Sequence, residues 1–190
     1  MKIQITLDQK SIKNAIKILE EQQKILTDIA IPEFLADSAE WIRKRANEIV
    51  HSSDIGSAVI KKIVSSWKTN EISHSQIVLY NDYWKAAYVE FGVGIIGKES
   101  SHPDANQANW EYNIKTLAKD DQGGWKFSVD RKSELDIPQS AIIDTVKIDN
   151  KTAIYTKGAQ GVWFLFNAVE DFKMKKARQF WEQIKIKYWS

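Results

Sequence analysis

The segment Ala86-Ala-Tyr-Val-Glu-Phe-Gly-Val-Gly-Ile-Ile-Gly97 constrains the fold most, because an apolar, aromatic-bearing run of helical character breaks abruptly into three closely spaced glycines. Glycine is used where the backbone needs positive φ or close approach, so the segment predicts a helix that ends in a tight structural turn. No Lys-Ser/Thr pair follows, as a phosphate-cradling loop would require. The spacing Gly92-x-Gly94-x-x-Gly97 matches a dinucleotide fingerprint in form. That fingerprint has to follow a strand and open a helix, whereas here the helical pattern precedes the glycines. Glu90 lies inside the apolar run and has two readings. It could serve as an acid or base, but a carboxylate just ahead of a glycine turn more commonly accepts turn amides or pairs with a lysine, and the structural role is the expectation.

Periodicity organises the rest. Ile12, Ala15, Ile16, Leu19 and Leu26 recur at helical spacing after Asp8, which suits an N-cap, so a first helix is predicted over Gln9–Asp28. Ile3, Ile5 and Leu7 alternate ahead of it as a short strand. Pro32 suits the first turn of a second helix, where Leu35, Ala39, Ile42, Ala46 and Ile49 repeat up to His51, and two antiparallel helices are the simplest arrangement. A short third helix runs through Ala58, Val59 and Ile63. From Trp67 the period changes to that of strands, first around Ser73-His-Ser75 and then at Trp125–Val129 and Thr152–Thr156, which predicts an antiparallel sheet. Residues 98–140 form a long, poorly periodic loop, and Val162 to about Lys187 reads as one final helix. The fold class expected is therefore α+β: N-terminal helices (1–66), a sheet region (67–161) and a long C-terminal helix (162–190), in a single domain spanning 1–190.

Composition narrows the function. The net charge is only +2, and the 39 residues 98–136 carry more acids than bases, so there is no basic track for nucleic acid. No membrane span is expected, since no run of about 18 apolar residues occurs. The absence of cysteine excludes thiol chemistry and disulfides and suits a reducing cytoplasm. His51, His74 and His102 are widely separated. Glu99, His102 and Asp104 could meet on one loop as metal ligands, but such residues are commonplace in polar loops, and no metal or other cofactor is expected. The tryptophans, eight in all, favour core packing and subunit contacts. The alternative is a non-catalytic carbohydrate-binding module using exposed rings, followed by a hydrolase using Glu90 or Glu99.

The landmarks after the glycines are His102-Pro103, Trp110-Glu111-Tyr112, Gly123-Gly124-Trp125, Tyr155-Thr156-Lys157-Gly158 and Trp163-Phe164-Leu165-Phe166. Together with Ala87-Tyr-Val-Glu-Phe-Gly-Val-Gly94 they resemble the tail-completion or neck (head-tail joining) proteins of long-tailed bacteriophages. That family carries a YxxYVEFGTG segment, HP and GWxY segments and a closing KGxxxxPF. The likeness covers roughly Val78 to Ala168; Val93 stands where threonine is usual, and no proline precedes Phe164. The resemblance implies a non-enzymatic virion protein, made in the host cytoplasm, whose copies form a ring and contact other neck or tail proteins. It marks Tyr88, Glu90, Phe91, Gly92, Gly94 and Gly97 as the family's structural turn. His102, Trp110, Tyr112 and Trp125 are the candidate interface residues.

Overall fold

The computed structural model describes residues 9–112, 124–128, 144–148 and 151–189. The strand expected at Ile3–Leu7, the Asp8 cap and most of the 98–140 loop beyond Tyr112 lie outside them. The architecture is α+β. Helix α1 (Gln9–Ile25) runs through one π-helical turn (Leu26–Ala30) into α2 (Ile31–His51), and α3 (Ser57–Ser65) follows. The hairpin β1 (Trp67–Ser73) and β2 (Gln76–Asn81) leads to α4 (Lys85–Phe91), β3 (Gly92–Val93) and α5 (Gly94–Glu99). Strands β4 (Trp125–Ser128), β5 (Asp144–Ile148), β6 (Lys151–Thr156) and β7 (Gly158–Gln160) precede α6 (Phe164–Lys175) and α7 (Ala177–Trp189).

The N-terminal helices are not an antiparallel pair. Ile25 and Ile31 both hold right-handed helical angles, and the Ile31 amide donates to the Leu26 carbonyl five residues back, so the chain passes from α1 to α2 without reversing. Pro32 explains the wide turn. It has no N–H, and its ring would strike the carbonyl four residues earlier in a regular helix; one π turn opens that space. Proline here marks a widened turn in a continuing helix instead of a new beginning.

Among the described residues the strands form small antiparallel sheets instead of a single one, with orders β1-β2, β3-β7 and β4-β6-β5. In the last, β6 pairs antiparallel with both neighbours, Trp125 facing Thr156 and Asp144 facing Tyr155. The hairpin at residues 67–81 lies where the sequence placed it. The C-terminal helix is interrupted at Lys176, yet the Lys176 amide still reaches the Phe172 carbonyl and the Phe180 amide that of Lys176, both at 2.9 Å.

Two compact units can be told apart. One comprises Met1–Arg43, Thr69–Tyr80 and Val169–Ser190, the other Lys44–Lys68 and Asn81–Ala168. The first is built on aromatic rings: Phe172 is buried, with Trp41 and Phe180 each 5.7 Å from its centroid and Phe34 at 6.3 Å. Such tilted and edge-on contacts are the favoured geometry for aromatic pairs. In the second, Val50, Val59 and Ile63 are buried, and Trp67 donates its indole N–H to Asn47 at 2.7 Å while meeting Phe164 edge-on.

A surface cluster ties the ends of the first unit. The Glu33 carboxylate accepts from Lys187 at 2.7 Å and from the Tyr188 hydroxyl at 2.6 Å. The Lys187 and Tyr188 hydrogen bonds hold its pKa below the ordinary 4.5, while the carboxylate raises that of Lys187 above 10.5. A depressed carboxyl pKa contributes stability above the ordinary value and loses it as pH falls through the lowered one; the raised lysine loses its share as pH rises past its own. Glu33→Gln should therefore be slightly less stable than wild type at neutral pH. In urea unfolding, the gap should narrow as pH falls below 4.5, through the lowered pKa of Glu33.

Candidate functional site

The Glu90 carboxylate is 7% exposed, and each of its oxygens is used. Oε2 accepts the Leu165 amide and Oε1 the Phe166 amide, both at 2.9 Å, and Oε1 also meets His102 Nε2 at 3.0 Å. Leu165 and Phe166 belong to the first turn of α6, whose leading amides have no partner within the helix. That helix starts without a Ser, Thr, Asp or Asn of its own at the cap: Trp163 stands there, at φ +55°. A carboxylate from 75 residues away in sequence takes the cap's place, with its charge at the favourable end of the helix dipole.

The hydrogen bonds fix the imidazole tautomer. Nδ1 accepts the Asp104 amide at 3.0 Å, so Nε2 carries the proton and donates to Glu90. Both ring nitrogens are occupied, which leaves His102 no lone pair for a metal ion. The His102 ring sits among Phe91, Phe166 and Trp163, with centroids 4.4, 5.2 and 5.7 Å away. Among the described residues no group of three His, Cys, Asp or Glu side chains is placed to hold a metal, and no helix is long and apolar enough to cross a membrane.

The glycines close the site from the other side. Gly92 ends α4 at φ +80°, and a side chain there would put a Cβ 2.5 Å from the Gly161 nitrogen. β3 pairs through it with β7, Gly92 facing Gln160 and Val93 facing Ala159. Gly158 holds φ +111° where the two strands meet at Gly94. Gly97 is buried in α5 against the backbone of Gly92. Contrary to the sequence reading, a helix does follow the glycines. It is only six residues long, and its leading amides are already taken: Gly94 donates to Tyr112, and Ile95 donates to Lys157 at 2.9 Å. With those donors consumed, the turn offers no phosphate cradle.

Around this core the remaining motif residues interlock. Trp110 stacks on Phe91 at 5.1 Å, meets Tyr88 edge-on at 5.2 Å and donates its indole N–H to the Gly92 carbonyl. The Tyr112 hydroxyl accepts the His102 amide at 2.9 Å. His102 and Trp125, expected at an interface, are only 4% and 2% exposed, and Trp125 lies beneath Gly94. Both serve the interior, because an imidazole bonded at both nitrogens and a ring under a glycine have no free face. Trp110 and Tyr112 are half-buried. Trp84 went unmarked by the sequence reading but stands 66% exposed beside Tyr88, with the Lys85 ammonium 5.5 Å from its centroid.

Comparison of the chain with family models, curated proteins and solved structures gives no match. Chemically, a buried carboxylate that accepts two helix amides and an imidazole N–H from within the protein acts as a fastening between these segments.

Glu90→Gln removes one acceptor oxygen from a buried site with three donors, and chemical unfolding should show a loss of roughly 1–3 kcal/mol, the cost of one unsatisfied group. Gly92→Val should lower the melting temperature, with a loss of more than about 1 kcal/mol, because a β-branched residue at positive φ is strained.

Proposed function

We propose that this chain is a non-enzymatic structural protein of a bacteriophage virion, a tail-completion or neck protein whose copies form a ring between tail and filled head. The observation that carries the reading is the inward orientation of the Glu90 carboxylate within the Tyr88–Gly94 segment that resembles the family. Its polar groups are spent on α6 and on His102, which fits a scaffold motif. A closed ring needs a heterologous interface, one patch on each copy meeting a different patch on the next.

Exposed apolar groups suggest where such patches lie. The β1-β2 hairpin is a two-stranded sheet to which no further strand pairs among the described residues, and it exposes Ile72, Val78 and Tyr80 at 54, 39 and 40%. Unpaired strand edges are suited to addition of a neighbour's strand. Trp84 follows the hairpin directly, and large exposed aromatics are the residue class that anchors interfaces. Trp110 is a poorer probe than Trp84, since its indole bond to Gly92 supports the fold.

Complementation of a phage lacking the gene tests the reading. Ile72→Asp and Trp84→Ala proteins should fold normally by circular dichroism and leave filled heads and unattached tails in electron micrographs of the lysate. Infectious, fully joined particles from the Ile72→Asp/Trp84→Ala double variant, or from cells lacking the protein altogether, would sink it.

A further inference from the structure

Among the described residues of its unit, helix α1 carries an apolar stripe that nothing covers. Ile12, Ile16 and Leu19 are 40, 50 and 55% exposed. With Gln23 and Leu26 they follow one another at steps of four, three, four and three residues. That alternation is a coiled-coil seam: Ile12, Leu19 and Leu26 take one core position of the heptad, Ile16 and Gln23 the other. Ala15, on a neighbouring stripe, is already buried. At its C-terminal end the seam opens into an apolar groove of about 490 Å³ whose walls include Leu19, Leu26, Trp181 and Trp189.

We infer that this seam is a self-docking surface on which α1 of a second copy packs antiparallel. The flanking charges select both the occupant and its direction. Lys13 and Glu20 occupy the same flank of the seam, both exposed, and neither takes part in an ion pair among the described residues. In an antiparallel pair that sets Ile16 against Leu19 of the second copy, Ile12 meets Gln23. Each Lys13 then lies beside Glu20 of the other chain, giving two symmetric ion pairs. The opposite flank, where Ala15 is already covered within its own chain, holds Ala15 and Gln22 and so opposes no like charges. A parallel pair would face Ala15 with Glu20 and Gln22 with Thr27, and would gain no ion pair. The same register delivers Ile12 of the second copy to Gln23, at the mouth of the tryptophan-walled groove. Two heptads bury less than the ~1,600 Å² of a standard interface, so the pairing is reversible and concentration-dependent. It concerns the free chain and does not rest on the virion reading.

Sedimentation velocity of the full chain over a dilution series reads the association directly. Wild type should pass from dimer to monomer on dilution. Lys13→Glu and Glu20→Lys each turn both ion pairs into like-charge contacts and should weaken the dimer by about tenfold, whereas the combined swap should restore it. Because the chain has no cysteine, direction can be read by oxidation. A mixture of Ile12→Cys and Gln23→Cys chains should give a disulfide-linked dimer, and Ile12→Cys alone should not. These sites are on or beside the exposed stripe, and circular dichroism checks that each variant keeps its helices. A wild type that stays monomeric at high concentration, a charge swap that fails to rescue, or efficient linkage of Ile12→Cys with itself would each overturn the proposal.

Discussion

Everything around the glycine turn depends on the burial of one carboxylate. Removing a carboxylate from water costs several kcal/mol unless the protein supplies replacement partners. At Glu90 these come from three places: two amides of α6 and the Nε2–H of His102. The dependence is mutual, for the α6 amides would be orphaned without Glu90, and the imidazole is held at its far nitrogen by the Asp104 amide. Segments remote in sequence are thus fastened at one point, and at the end of the same helix Gly92 and Gly158, both at positive φ, let β3 and β7 approach where a side chain on either would strike the backbone of the other strand.

This economy of donors bears on function more than any surface feature does. The group with the most suggestive chemistry is enclosed, and it is bonded to three donors of the protein's own. Among the described residues, exposed large apolar side chains include Ile12, Ile16 and Leu19 on α1, Ile72 and Tyr80 on the hairpin, and Trp84. Apolar side chains presented by regular elements are where contact surfaces are found, and it is on them that the proposed assembly contacts rest.

The sequence makes the long elements legible because they carry periodicity. The stripe through Leu35, Ala39, Ile42 and Ala46 announces α2, and the alternation around Ser73-His-Ser75 announces the hairpin. Two- and three-residue strands such as β3 and β7 are too short to show any alternation, so the pairing of Gly92 with Gln160 left no trace. The Glu90 site was half readable. The motif and its glycines are local, but Leu165 and Phe166 contribute only backbone amides, which no residue type advertises. The missing cap at the start of α6 was the available signal. His102 and Trp125 were misplaced because an aromatic set in a polar stretch looks exposed when its neighbours in space are unknown.

The π turn between α1 and α2 has a geometric effect of its own. A regular helix advances about 100° per residue, so the extra residue in a wide turn shifts the angular phase of all that precedes it by about that amount. Pro32 is thereby linked to which way Ile12, Ile16 and Leu19 point relative to the buried Ala30 and Ala39 further along the rod. A single-residue deletion in Leu26–Ala30 would leave every side chain of α1 chemically intact while turning its apolar stripe through roughly a quarter of the circle.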